Sequence, residues 1–215
     1  MKKEYRCNQL FKSNLSIIVF FFAMAFFRTA VADWNHVPSG SMEPTLYAGD
    51  WLLVDKTEYG PTIPFANVRL FNTNDPKRGD IITFVPPHTD DLYVKRVVGT
   101  PGDEIGFWGR DIFVNGSKLS STRVLLGSST EIEIEQLGSN THLIQYSSNG
   151  QLPNFDDSFI VPESKYFVLG DHRSNSVDSR YWGFVESHKI MGKVTHVAFS
   201  IASERSSERF AIAVE

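Results

Sequence analysis

Cysteine is almost missing from this sequence. Of its 215 residues only Cys7 is a cysteine, and it precedes an apolar segment near the N-terminus. A single thiol can neither close an intramolecular disulfide nor build a thiolate metal cluster. We therefore expect the fold to be held together by packing alone.

A charge excess of one sign is also lacking. The sequence has 21 Lys+Arg against 25 Asp+Glu, and its basic residues form no long run and do not alternate with aromatic residues. Nucleic-acid binding needs a basic surface, so no nucleic-acid partner is expected. The hydrophobic fraction of 41% excludes a disordered chain, and the length suits one domain or a divided one.

Motifs for metals and phosphates are absent as well. The six histidines show no H-x-x-x-H spacing, and the sequence has no Gly-rich phosphate loop, so we expect neither a metal nor a cofactor. Only His172, in a polar run with Asp171 and Asp178, has the surroundings of a catalytic-triad member. The other histidines are predicted to be loop or surface residues, namely His36, His88, His142, His188 and His196.

One long apolar run is present near the N-terminus. Residues 15–27 are almost wholly apolar and follow four basic residues, and extension to 15–32 approaches the roughly 20 residues that a bilayer span needs. This predicts a cytoplasmic N-terminus at 1–14, a transmembrane anchor at 15–32 and an exported domain at 33–215. The alternative is a signal peptide removed after the small residues at 30–32.

Beyond residue 33 the apolar runs are short and are bounded by turn residues, which is typical of strands. The dipeptide Asn115-Gly116 is a hairpin-turn signal. The sequence therefore predicts a mainly β fold, an antiparallel β-sheet domain with a smaller inserted β region at about 111–165. Within that region Glu131–Glu135 alternates glutamate and isoleucine, and we expect a solvated acidic face there. The apolar runs that predict strands of the main sheet are 51–54, 81–85, 92–98 and 166–169.

The segment 38–46, Pro-Ser-Gly-Ser-Met-Glu-Pro-Thr-Leu, is a candidate catalytic loop. Gly40 permits backbone geometry that a Cβ would obstruct, and Pro44 stiffens the exit. Ser41 can therefore be held with its hydroxyl exposed next to backbone N–H groups. A serine in such a loop is also commonly an ordinary turn residue, and this segment alone leaves both possibilities open.

A nucleophilic serine needs a base, and Lys95 is a candidate. Strand alternation in 92–98 puts Lys95 on the same face as Tyr93 and Val97. Burial there would disfavour the ammonium form and lower the lysine pKa from about 10.4 toward 8, which makes the amine a possible general base. The alternative is a surface lysine on an edge strand.

A third polar segment, 170–183, follows an apolar strand. In it Asp178 and Arg180 could support a site while Ser176 hydrogen-bonds to the base. The same residues would also suit a well hydrogen-bonded loop with one ion pair.

In their order these segments resemble bacterial type I signal peptidases, the membrane-anchored Ser/Lys leader peptidases. The resemblance covers most of 15–110 and 160–200. In the last motif His172 and Ser174 replace the usual asparagine and aspartate. The motifs that carry it are 38–46, Gly79-Asp80 before a strand, 93–99 with Pro101-Gly102-Asp103, and 170–180 with Trp182-Gly183.

The resemblance implies an endopeptidase that removes N-terminal signal peptides from exported preproteins. It makes Ser41 the nucleophile and Lys95 the general base, which later protonates the leaving amine. The Ser41 N–H and the Ser39 hydroxyl would hold the oxyanion.

The resemblance also implies supporting residues. Ser176 would orient the lysine amine. Ion pairs would support the site, and an apolar pocket would accept the small-x-small signature of the cleavage site. The implied ion pairs are Asp178 with Arg180 and Asp171 with Arg96, and the implied pocket residues are Val37, Met42, Leu46 and Tyr93.

The implied partners are signal peptides of membrane-inserted preproteins and the lipid bilayer. The implied location is the bacterial inner membrane, with a cytoplasmic N-terminus and the catalytic domain outside. A specialised enzyme that matures pilin or conjugation proteins stays open beside a housekeeping one. Two other classes remain as alternatives: a self-cleaving Ser/Lys repressor, which would need a DNA-binding module, and a membrane-anchored β-rich binding module without chemistry.

Overall fold

The chain is described by a computed structural model over part of its length. The described residues are 15–25, 31–60, 62–63, 68–126, 129–150, 152, 157–202 and 208–214. Within them the strands are β1 (Ala32–His36), β2 (Asp50–Asp55), β3 (Thr62–Ile63), β4 (Val68–Arg69), β5 (Ile81–Phe84), β6 (Tyr93–Gly99), β7 (Glu104–Trp108), β8 (Asp111–Val114), β9 (Ser117–Lys118), β10 (Ser120–Leu126), β11 (Thr130–Leu137), β12 (Asn140–Ser147), β13 (Ser158–Ile160), β14 (Lys165–Leu169), β15 (Val185–Glu186), β16 (Ile190–Ser200) and β17 (Ile212–Ala213). Short helical segments are Gly40–Met42 and Ser187–Lys189, both 3-10, and the α-helical turn Ser179–Trp182.

The structure describes only part of the predicted anchor. Residues 15–25 are helical and carry exposed apolar side chains such as Phe20 and Phe22, whereas 1–14 and 26–30 lie outside the described residues. None of the helices in the described part of the chain is both long enough and apolar enough to cross a membrane. Ala32, the last residue of the predicted anchor, begins β1 and pairs with Asp55 of β2.

The main sheet is antiparallel, which confirms the mainly β prediction. Among the described strands its order is β1-β2-β16-β5-β6-β14-β15, with β17 paired to β16. Strand β16 lies between β2 and β5 and is 11 residues long. The register of β16 with β2 shifts between Val194 and His196 and again between Val197 and Phe199, so its apolar residues do not alternate strictly. That irregularity explains why the sequence pattern did not reveal this strand.

Strand β6 is covered by apolar side chains on both faces. Val97 packs in one buried cluster with Ile82 and Tyr166, and Val98 packs in another with Ile105 and Phe167. Neighbouring strands β5 and β14 hydrogen-bond to its two edges. A side chain that points from the middle of this strand therefore enters a largely dehydrated environment.

The smaller β region shares its core with the main sheet. Its four-stranded sheet has the order β13-β7-β8-β9, and β7 precedes the predicted start at residue 111. Phe107 and Val114 of this sheet pack against Phe167 of β14. The predicted turn is present between β8 and β9, with Asn115 at φ 53° and Gly116 at φ 73°.

The three-stranded sheet β10-β11-β12 contradicts one prediction. Glu131 and Glu133 ion-pair with Arg110, Glu135 is buried, and the alternate residue Ile134 is 41% exposed. The glutamates therefore face the protein body, and the expected solvated acidic face is wrong. Alternation separates the two faces of a strand, but it does not say which face is covered. Here arginines of the body make the acidic side the inner one.

Candidate active site

Ser41 and Lys95 are brought together by the fold. Ser41 lies in the 3-10 turn Gly40–Met42 that follows β1, and Lys95 lies in the middle of β6, 54 residues away. The Lys95 Nζ donates hydrogen bonds to Ser41 Oγ at 2.7 Å and to the Val94 carbonyl at 3.0 Å. The serine hydroxyl thus has a candidate base within direct proton-transfer distance.

The loop around Ser41 is fixed by apolar packing. Met42 and Leu46 are buried in one cluster with Val37, and Leu46 N–H donates to the Met42 carbonyl at 2.9 Å. Gly170, which directly follows β14, lies so close to this loop that an added Cβ would approach the Ser41 carbonyl oxygen to 2.4 Å. Glycine is therefore required there for the loop to sit on the end of β14.

Burial sets the protonation of Lys95. Its side chain is only 4% exposed, and this desolvation lowers the pKa from 10.5 to about 8. The carboxylates of Asp178 and Asp171 oppose the shift, and the Arg180 guanidinium adds to it. A substantial fraction of the amine is therefore neutral in mildly alkaline solution.

Arg96 and Asp171 form the first of the two predicted ion pairs. Arg96 donates from Nε and Nη2 to the two Asp171 oxygens, both at 2.9 Å, and each side chain is 1% exposed. Burial raises the pKa of Asp171, but Arg96 outweighs it, and the net pKa is lowered. Thr45 also donates to Asp171 at 2.5 Å, so this pair ties the Ser41 loop to the segment after β14.

Asp178 and Arg180 form the second predicted pair. Arg180 Nε donates to Asp178 Oδ1 at 2.8 Å, and the Gly170 N–H donates to Asp178 Oδ2 at 3.0 Å. The predicted bond from Ser176 to the lysine amine is not formed. Among the residues that the structure describes, the buried Ser176 hydroxyl has no hydrogen-bond partner.

The four predicted pocket residues belong to two apolar clusters. Val37, Met42 and Leu46 share a buried cluster, whereas Tyr93 packs in a different one beside Phe84. The Tyr93 ring centroid is 5.5 Å from Lys95 Nζ.

Ser39 is a second serine of the loop and lies close to Ser41. Its side chain is exposed, and the two Oγ atoms are 3.4 Å apart. The hydroxyl is therefore near the nucleophile and accessible to a bound substrate.

His172 does not act on Ser41 as a triad histidine would. Its Nδ1 lies 3.2 Å from the Gly40 carbonyl, and its Nε2 lies 2.7 Å from Ser147 Oγ. The imidazole thus contacts the backbone of the Ser41 loop, while Lys95 contacts the hydroxyl.

A third buried ion pair was not predicted. Arg173 Nη1 donates to Glu135 Oε1 at 2.7 Å, and the side chains are 1% and 4% exposed. Burial raises the pKa of Glu135, but Arg173 and the neighbouring His142 outweigh it and hold that pKa at about 2. His142 is itself buried, so its prediction as a loop or surface residue is wrong. The sequence signal for the Glu135–Arg173 pair was the alternation of glutamates in β11, but that pattern does not identify the arginine with which Glu135 pairs.

A mainly β protein with a serine hydroxyl bonded to a buried lysine amine has the arrangement of a serine hydrolase that uses an amine as its base. The comparisons with known proteins agree. The model of the family described as "Signal peptidase, peptidase S26" matches residues 10–199, and the chain belongs to that family. It is a serine endopeptidase, a hydrolase that removes signal peptides.

Curated relatives support the assignment over most of the chain. The signal peptidase I of Buchnera aphidicola subsp. Schizaphis graminum is 32% identical, with 91% of this chain and 77% of the relative covered. The signal peptidases I of Pseudomonas fluorescens and Pseudomonas aeruginosa are each 35% identical, with 83% of this chain and 69% of the relative covered.

Replacement of Lys95 by methionine is expected to stabilise the fold at pH 7. The shift of the Lys95 pKa from 10.5 to about 8 corresponds to a cost of about 3 kcal/mol for the buried ammonium. Because the folded pKa is the lower one, the cost is complete below pH 8 and disappears between pH 8 and 10.5. Chemical denaturation of Lys95→Met should show a higher free energy of unfolding at pH 7, converging with wild type by pH 10.5.

The matched control is Lys77→Met, which removes an exposed lysine and should change stability by less than about 0.5 kcal/mol. An equal stabilisation by both variants at pH 7 would show that buried charge is not the cause.

Replacement of Glu135 by alanine is expected to destabilise the protein by about 3–5 kcal/mol, because Arg173 then remains buried without its counter-ion. Urea denaturation at neutral pH measures the change. The control Glu104→Ala removes an exposed glutamate and should stay within about 0.5 kcal/mol. If Glu135→Ala lowers the free energy of unfolding by as little as the control does, water reaches Arg173.

Proposed function

We propose that Ser41 is the nucleophile and Lys95 the general base of signal-peptide removal. The observation that carries the proposal is the 2.7 Å hydrogen bond between Lys95 Nζ and Ser41 Oγ, made by an amine whose burial lowers its pKa to about 8. A lysine with an ordinary pKa would stay protonated at neutral pH and could not accept the hydroxyl proton.

The reaction follows from these two groups. The neutral Lys95 amine takes the Ser41 proton as Oγ attacks the scissile carbonyl. The resulting ammonium then protonates the leaving amine, and an acyl-enzyme on Ser41 remains. Lys95 next takes a proton from water, which attacks the ester. The Lys95 ammonium then returns that proton to Ser41 Oγ as the ester bond breaks, and the cleaved signal peptide is released with a new carboxylate.

The oxyanion needs donors on the side of Ser41 away from Lys95. We assign this role to the Ser41 backbone N–H and the Ser39 hydroxyl. The 3.4 Å separation of the two hydroxyl oxygens and the exposure of Ser39 support the assignment.

The remaining polar residues act by position. Arg96 and Asp171 hold the segment after β14 against the Ser41 loop through Thr45, and Arg180 with Asp178 fixes the shape of that segment. Ser176 lies against Gly170 under that loop with a buried, unpartnered hydroxyl, and we assign to it the orientation of the Lys95 amine that the family resemblance implies.

We assign specificity for small residues before the scissile bond to the apolar side chains next to Ser41. A pocket bounded by Met42 and Leu46, whose side chains are fixed in a buried cluster, would reject a large substrate side chain by overlap and favour small-x-small sites. The residues assigned to this pocket are Val37, Met42, Leu46 and Tyr93.

We further propose that the apolar segment predicted at 15–32, up to the start of β1, anchors the enzyme in a bacterial inner membrane, with residues 1–14 cytoplasmic and the domain from 33 onward outside. The exposed apolar side chains of the helical residues 15–25 support this proposal. A membrane-inserted preprotein presents its cleavage site at the same bilayer surface, so a shared membrane raises the effective concentration of substrate.

Cleavage of a membrane preprotein with an Ala-x-Ala site tests the proposal. In detergent or lipid, wild type should cut after the second alanine, whereas Ser41→Ala and Lys95→Ala should not. Lys95→Arg should also be inactive, because an arginine stays protonated. Gel analysis with N-terminal sequencing of the product gives the readout.

Activity retained in Ser41→Ala would end the assignment of the nucleophile. If wild type does not cut several Ala-x-Ala preproteins, the specificity assignment fails, and pilin-type precursors are the next substrates to try.

The rate is expected to rise with pH. Lys95 must be neutral to act as a base, so kcat/KM should increase from pH 7 and level off above its pKa of about 8. Initial rates on a soluble Ala-x-Ala peptide between pH 6 and 10 measure this dependence. A flat profile would argue against an amine base.

A further inference from the structure

His172 links the loop of the nucleophile to strand β12. Its backbone N–H donates to the Ser41 carbonyl at 3.2 Å. Its ring reaches the Gly40 carbonyl from Nδ1 at 3.2 Å and Ser147 Oγ from Nε2 at 2.7 Å. The side chain is 6% exposed, so these contacts are shielded from water.

The partners fix the tautomer of the ring. A carbonyl oxygen only accepts, so His172 Nδ1 carries the proton and donates to Gly40. In the neutral ring Nε2 then accepts, and the Ser147 hydroxyl donates to it. The other polar groups that face the ring are the Gln145 amide, 3.4 Å from Nε2, and the Glu43 carboxylate, 3.9 Å from Nδ1.

The Gly40 carbonyl belongs to the same peptide unit as the Ser41 N–H. The unit is planar, and in a trans peptide the N–H points away from the C=O. A hydrogen bond that holds the Gly40 oxygen therefore also sets the direction of the Ser41 N–H. The same carbonyl accepts from Glu43 N–H at 3.1 Å, so two donors hold it.

We propose that His172 is a positioning residue that orients the Ser41 N–H as an oxyanion-hole donor through its bond to the Gly40 carbonyl. The inference rests on the proposed function, in which Ser41 is the nucleophile and its N–H binds the oxyanion. His172 does not touch the substrate. Because the peptide is polarised by the bond at its oxygen, its N–H also becomes a stronger donor.

Strand β12 keeps His172 in place. Gln145 N–H donates to the Asp171 carbonyl at 2.8 Å, and Arg173 N–H donates to the Gln145 carbonyl at 2.9 Å. The Ser147 N–H donates to Ser174 Oγ at 2.7 Å. The smaller β region thus acts on the oxyanion hole through a chain of hydrogen bonds that ends at Gly40.

Two amide substitutions separate the two ring contacts. In His172→Asn the side-chain amide nitrogen takes the place of Nδ1 and can donate to Gly40, but it does not reach Ser147. In His172→Gln the amide takes the place of Nε2 and reaches Ser147, but it leaves the Gly40 carbonyl without this donor. Both variants keep the backbone bond to Ser41.

We expect His172→Asn to keep kcat within about threefold of wild type. His172→Gln should lower kcat by about 10- to 100-fold with little change in KM, a part of the 10²–10³ that loss of a whole oxyanion donor costs. A peptide aldehyde with an Ala-x-Ala sequence forms an oxyanion on Ser41. Its affinity for His172→Gln should be lower than for wild type by the same factor as kcat/KM. The product peptide should bind both variants equally. Thermal melting of both variants verifies that they are folded.

If His172→Gln is active and His172→Asn is impaired, only the hydrogen bond to Ser147 matters, and the inference is overturned. Equal activities of the two variants, whether high or low, would overturn it as well. Failure of the proposed function is a separate result, because it appears as activity in Ser41→Ala whatever the His172 variants do.

Discussion

The hydrogen bond between the buried Lys95 amine and the Ser41 hydroxyl is the interaction on which the rest of the structure depends. A lysine can be neutral near physiological pH only where water is excluded, and β6 provides such a place because apolar clusters cover both of its faces. The fold thus lowers the pKa of the base by burial, and this burial costs stability. The strands on either side of β6 and the apolar clusters on its faces therefore exclude water from this amine.

Three buried arginine–carboxylate pairs surround this bond. Arg96 with Asp171 joins β6 to the segment after β14, Arg180 with Asp178 holds that segment in shape, and Arg173 with Glu135 fastens it to β11. Buried pairs of this kind add little net stability, because desolvation offsets their attraction. Their directional hydrogen bonds instead allow one arrangement of the segment, with Gly170 directly under Ser41.

The smaller β region is part of the same core and reaches the site through β12. Its backbone bonds to the segment 171–174 place His172 against the Gly40 carbonyl. A peripheral sheet can in this way support catalysis without contributing a group that touches the substrate.

The sequence by itself determined the local chemistry: short strands such as β2, β5, β6 and β14, the hairpin turn at Asn115-Gly116, and the motifs that resemble a signal peptidase. Periodicity and turn residues are local properties, and they are visible without a fold. Only the tertiary structure decided what depends on distant partners. In the folded protein the glutamates of β11 face inward toward arginines, and His142 is buried. Ser176 lacks its expected contact, and the irregular strand β16 completes the main sheet. Burial and pairing are properties of the assembled core, so the pKa of Lys95 could be anticipated as a possibility but was set by what packs around it.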